Sequence, residues 1–170
     1  MKINIADIKH TPSEKLDFSL CSKLDPALYG YGEYTLPEPV SCQGRIRDNH
    51  QGGFEAAGAY QATAVLSCSR CGQDYALPLS RDFSALFVPL QGEDWDGETS
   101  LFPIQGDLVD LGEVLAGEIF FALPMQPLCQ EGCQGLCPVC GADLNKSSCA
   151  CQRESLDPRW EKLKNLTFDD

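Results

Sequence analysis

Ten cysteines stand in the 170 residues, and six of them fall between positions 129 and 151. A thiolate is a soft, tight-binding ligand, so cysteines at short, repeated spacings are read first for metal coordination. Cys137-Pro138-Val139-Cys140-Gly141 has the form of a metal knuckle. Two intervening residues let both sulfurs point at one ion, and the proline helps set the turn. The glycine tolerates positive φ and lets a backbone N–H approach a sulfur. Cys68-Ser69-Arg70-Cys71-Gly72 repeats the pattern upstream, while Cys129 with Cys133 and Cys149 with Cys151 add two further close pairs.

These eight thiols predict two structural zinc sites of four sulfurs each. Cys137, Cys140, Cys149 and Cys151 are near enough in sequence to close one site alone. Cys68 and Cys71 then join Cys129 and Cys133, stapling two distant parts of the chain. The alternative is a single ribbon-like site from the two knuckles, Cys68, Cys71, Cys137 and Cys140, which resembles rubredoxin and would admit iron. Four thiolates leave no open position for substrate or water, which argues against catalysis by the metal. Cys21 and Cys42 stand alone and read as small buried apolar residues.

Other chemistries are poorly supplied. Neither CxxC has the tryptophan-containing surroundings of a thioredoxin motif, so dithiol redox catalysis is the weaker reading. His10 and His50 lie in polar stretches without an evident catalytic partner, and neither Gly30-Tyr31-Gly32 nor Gly52-Gly53 has the frame of a phosphate loop. The chain is expected to be non-enzymatic.

The elements that must position the thiols are of two kinds. Val40 to Val88 suits antiparallel strands, broken by the turn-rich Asp48–Gly53 and by the first knuckle, which falls at the tip between two strands. Ile3, Ile5 and Ile8 alternate in part and suggest an edge strand, and Asp25 to Pro39 reads as a loop with short extended pieces. The best helix runs over 110–123. Asp110 caps it, Glu113 sits in the first turn, Pro124 ends it, and Leu111, Val114, Leu115, Ile119 and Ala122 recur at helical spacing. It should pack on the sheet and deliver the chain to Cys129. Gln91–Thr99 is an acidic loop carrying Trp95. Asp157-Pro158 opens a short C-terminal helix whose Trp160, Leu163 and Leu166 form an apolar stripe.

The predicted fold is therefore α+β: an antiparallel sheet or partly closed β-barrel core with one main helix and a C-terminal zinc-knuckle segment. Residues 1–128 form the strand-rich core domain and 129–170 the cysteine-rich segment with its short helix. No apolar run reaches the roughly 20 residues of a membrane span, and the first residues lack an apolar signal core. Both point to the cytoplasm or an equivalent reducing space, where clustered cysteines bind metal rather than pair.

Charge is unevenly placed. The net charge is −12, yet residues 1–81 and 146–170 are nearly balanced; residues 82–145 hold 11 Asp/Glu and no Lys or Arg. Such a surface repels phosphate backbones and attracts a basic partner, although charge of this kind also serves solubility. Arg45, Arg47, Arg70 and Arg81 are the notable basic set in the strand half.

The order of motifs resembles the YceD family of large ribosomal RNA subunit accumulation proteins. The likeness is carried by Cys68-Ser69-Arg70-Cys71, by Asp110-Leu111 through Glu118-Ile119 to Leu123-Pro124-Met125-Gln126-Pro127-Leu128-Cys129, and by Cys133 through Cys137-Pro138-Val139-Cys140-Gly141-Ala142-Asp143-Leu144-Asn145. Asp157-Pro158-Arg159-Trp160-Glu161-Lys162-Leu163 closes it. It spans roughly residues 40–166 and matches the cysteine-rich form of the family. The resemblance implies a non-enzymatic factor needed for accumulation of 23S ribosomal RNA and for large-subunit assembly, whose gene in many bacteria neighbours that of a small basic ribosomal protein. With the charge map, the expected partner is a basic large-subunit ribosomal protein or a pre-50S particle. Direct rRNA contact through the four arginines is the second expectation and a thiol oxidoreductase the third.

Overall fold

A computed structural model describes residues 1–9, 15–32, 34–89 and 101–151. Its centre is a run of three long antiparallel strands: β3 (Val40–Asp48), β4 (Phe54–Ser67) and β5 (Asp74–Val88), numbered after β1 (Lys2–Asn4) and β2 (Lys15–Ser22). Residues alternate across the sheet, as the period of two requires. Ile46, Ala56 and Ala85 meet in register on the buried face, and Arg45, Ala57 and Ser84 meet on the outer face. At the β3–β4 turn, Asn49 Oδ1 accepts from Gln51 and Gly53 N–H, and His50 adopts a left-handed φ of 58°.

The sheet has five strands in the order β2-β3-β4-β5-β6, with β6 (Leu101–Pro103) parallel to β5 and every other pairing antiparallel. β1 pairs separately with β7 (Leu108–Asp110) in a two-stranded sheet. The helix α2 (Leu111–Ala122) follows at once, with Asp110 as its N-cap accepting from Gly112 N–H at 2.8 Å. A short helix α1 (Ala6–Lys9) and a 3-10 turn over Pro26–Tyr29 complete the described elements. Among the described residues no barrel closes; the fold is α+β with two mostly antiparallel sheets, one main helix and a cysteine-rich C-terminal stretch.

The core lies between the inner face of the large sheet and α2. Ile46, Phe87, Val109, Leu111, Leu115 and Ile119 are wholly buried in it. The α2 face is the one its spacing predicts, except that Ala122 is half-buried. Tyr34 Oη donates to Ala116 O at 2.8 Å, pinning the loop before β3 to the helix.

Two expectations are corrected in detail, and one strand is present that no expectation covered. Ile3, Ile5 and Ile8 are all buried, but they belong to a three-residue strand, a linker and the α1 turn rather than to one edge strand. β2, an eight-residue strand, occupies the stretch before the loop. Cys42 is buried, whereas Cys21 is exposed, because it pairs with Ser41 on the outer face. His10, the acidic loop with Trp95 and the helix from Asp157 lie outside the described residues. No helix among the described residues is long and apolar enough to cross a membrane.

Candidate metal centres

The first knuckle sits between β4 and β5, where a 14-residue and a 15-residue strand fix its ends. Cys68 N–H donates to Gln73 O at 2.9 Å and Gly72 N–H to Cys68 O at 2.8 Å. The second knuckle repeats the loop bond for bond. Cys137 N–H donates to Ala142 O at 2.8 Å and Gly141 N–H to Cys137 O at 2.9 Å. Ser67 faces Asp74 across the base of the first, as Leu136 faces Asp143 across the base of the second. Gly72 and Gly141 both turn through positive φ, 70° and 73°, which a side chain would strain. One local sequence thus builds one local structure twice.

The segment after α2 is docked on the first knuckle by polar bonds. Ser69 N–H and Oγ both donate to Pro127 O, at 2.9 and 2.8 Å. Arg70 Nη1 donates to Cys133 O at 2.8 Å, and Leu136 N–H to Arg70 O at 3.3 Å. These contacts bring Cys129 and Cys133 to Cys68 and Cys71, about 60 residues earlier in the chain.

The eight predicted thiols fall into two groups of four. Cys68, Cys71, Cys129 and Cys133 form one, and Cys137, Cys140, Cys149 and Cys151 the other; within each, all sulfurs lie within 4.8 Å of one another. The ribbon-like set of Cys68, Cys71, Cys137 and Cys140 is not brought together among the described residues. All ten cysteines are free thiols. In the first group Cys68 and Cys133 sulfurs are 3.8 Å apart, as are those of Cys71 and Cys129. A tetrahedron with metal–sulfur bonds of about 2.3 Å has edges of about 3.8 Å, so this donor set fits a zinc-sized ion. The first group is mostly buried, backed by Tyr75 and Leu128; in the second only Cys137 is buried and Cys140 is exposed.

Electrostatics within the groups also fit a cation. The backbone N–H of Cys129, with those of Cys71 and Arg70, outweighs burial and holds the Cys68 thiol down at about 6. Backbone N–H groups of Cys140 and Val139 do the same for Cys137, again to about 6. Burial and the neighbouring sulfurs push Cys129 up to about 12. The sulfurs of Cys140 and Cys137, together with burial, push Cys151 up to about 12. Four thiols crowded together ionise in full only around a positive ion.

The remaining candidate residues have local duties. Arg45 Nε lies 2.6 Å from Asp17 and Arg47 Nη2 lies 2.7 Å from Glu55, both on the outer face. Arg70 donates to the Cys133 carbonyl beside the first cysteine group, and Arg81 is exposed on β5. Of the acidic middle stretch, Asp107 faces Lys9 at 2.8 Å, Asp110 caps α2 and Asp143 faces Lys146 at 3.0 Å. One residue beside the centres, Asn145, enters the sequence only as the end of the family motif, with no role of its own; its side chain donates to the sulfur of Cys133. Its place five residues beyond Cys140, after Asp143, was the available signal.

The profile of the YceD family, described as "Large ribosomal RNA subunit accumulation protein YceD", matches residues 56–167. The chain belongs to the YceD family. All eight clustered cysteines lie inside the stretch that matches YceD. A chloroplastic large ribosomal RNA subunit accumulation protein YCED homolog 1 of Arabidopsis thaliana is 28% identical over 137 residues, 64% of this chain and 43% of the plant protein. An uncharacterised protein of Mycobacterium tuberculosis is 28% identical over 116 residues, 67% of this chain and 56% of its own length. The maize YCED homolog 1 is 35% identical over 63 residues, 36% of this chain and 21% of that protein. The match thus spans about half or less of these curated relatives. No solved structure matches the chain.

Proposed function

We propose that this YceD-family chain is a non-enzymatic factor for 23S rRNA accumulation and large-subunit assembly. In this reading two zinc ions hold its shape, and an acidic surface binds a basic ribosomal protein or pre-50S particle in the reducing interior of the cell. The observation that carries it is the family match over residues 56–167, which takes in both tetrathiolate groups. The sulfur spacing supports zinc, and closed four-sulfur sites support a scaffolding role. The net charge of −12 supports a basic partner. Two of the four arginines that would serve an RNA site, Arg45 and Arg47, are neutralised by carboxylates of the same sheet.

Deleting the gene from its host and quantifying 23S rRNA and 50S particles tests the biological half. Both should fall, and the wild-type chain should restore them while one carrying Cys71→Ser and Cys140→Ser does not. Fluorescence anisotropy with purified basic large-subunit proteins and with 23S fragments tests the partner. Protein binding that weakens with salt supports the proposal. RNA binding lost on changing Arg45, Arg47, Arg70 and Arg81 would instead establish direct rRNA contact. Thiol–disulfide turnover by the metal-loaded chain would establish an oxidoreductase.

A further inference from the structure

Asn145 lies between Cys140 and Cys149, inside the loop that closes the second group, yet its side chain serves the first. Its Nδ2 donates to Cys133 Sγ at 3.5 Å and to Asp143 Oδ1 at 2.8 Å, using both amide hydrogens. Its Oδ1 accepts from Gln134 N–H at 2.8 Å, and Leu144 N–H alongside donates to Gly135 O at 3.0 Å. The Gln134 bond fixes which way the amide faces, so the N–H points at the sulfur. A loop tied by the second site thereby grips the turn that presents a ligand of the first.

We infer that Asn145 couples the two metal sites: closure of the second site holds the Asn145 N–H on the Cys133 thiolate and tightens metal binding at the first. This rests on the reading that both groups hold metal. An N–H bond to a metal-bound thiolate spreads its negative charge and orients the sulfur, and losing such a partner weakens a site by roughly 10–100-fold. Coupling of this kind is reciprocal, so filling the first site must tighten the second by the same factor.

The test is a Co(II) titration of the full chain, followed through the sulfur-to-cobalt charge-transfer band. A Cys71→Ser variant supplies the spectrum of the second site alone, to be subtracted from wild type. Asn145→Asp is nearly isosteric and keeps the acceptor for Gln134 while removing the donor. Asn145→Ala, with circular dichroism on both, guards against misfolding. Each should weaken Co(II) at the first site by about tenfold and move its band to lower energy, since an unbonded thiolate is the better electron donor. Cys149→Ser with Cys151→Ser, which empties the second site, should do the same, and adding Asn145→Asp to it should cause no further loss. A first site whose affinity and band stay unchanged in either the Asn145 or the second-site variant overturns the inference alone. A wild-type chain that takes up no Co(II) overturns it together with the metal reading.

Discussion

At the scale of single residues, the thiols set the terms. Cys68 and Cys137 are held down at about 6, whereas Cys129 and Cys151 are pushed up to about 12. The first pair supplies thiolates near neutral pH, and the second must surrender protons to an arriving ion. Zinc binding should therefore release protons and weaken as pH falls. Competition with a chromophoric chelator should show at least about a tenfold loss of affinity per pH unit on acidification; an affinity flat between neutral and mildly acid pH would contradict this. Tyr60 makes a second prediction. Its hydroxyl is buried with no hydrogen-bond partner among the described residues, so Tyr60→Phe should be neutral or stabilising by up to about 1 kcal/mol in urea unfolding. A clear loss of stability would reveal a partner for that hydroxyl. The thiols were legible in the sequence because ligand chemistry demands a short spacing. The contact of Asn145 with Cys133 was not, since an asparagine in a polar loop is indistinguishable by type from one that faces water.

At the scale of elements, α2 was legible almost to the residue, because cap, spacing and terminating proline agree. Burial pushes the Asp110 carboxyl up, but the Met1 ammonium at 2.9 Å and the Gly112 N–H outweigh it and hold the group below the usual carboxylate range. A lowered carboxyl stabilises above its unfolded-state pKa and loses that contribution as pH falls through the folded value. Asp110→Ala should therefore cost about 1 kcal/mol at neutral pH and less in acid, read from urea midpoints across pH. A cost that persists in acid would assign the residue a packing role instead. β2 was legible but unread: Leu16, Phe18 and Leu20 alternate with polar residues, and short length beside Gly- and Pro-rich chain hides the signal. The Gly44–Gly58 pairing was not legible at all. A Cβ on Gly58 would lie 2.2 Å from Gln43 O, and Phe18 and Phe83 flank the bare backbones in register with ring centroids 6.4 Å apart. Gly58→Val should destabilise by about 1–3 kcal/mol through overpacking, despite the high strand propensity of valine.

At the scale of the whole molecule, the fold class followed from strands before the helix and thiols after it. The joining of Cys68 and Cys71 to Cys129 and Cys133 followed only by leaving them over once the second group had closed; spacing cannot show a contact some 60 residues apart. The five-stranded sheet and α2 share a core of aliphatic and aromatic residues, whereas the thiols of the first group form a separate small cluster with Tyr75 and Leu128. Metal should therefore matter most to the chain beyond Pro127. Hydrogen exchange with and without a chelator should show protection lost in 128–151 and at the 68–72 tip, while β3, β4 and α2 keep theirs. Whether two zinc ions close the two four-sulfur sites is read by native mass spectrometry of the purified chain with metal analysis. Two zinc ions per chain are expected, both removed by strong chelation. One ion, or none with free or oxidised thiols, would contradict this and leave reactive cysteines where inert ligands are proposed.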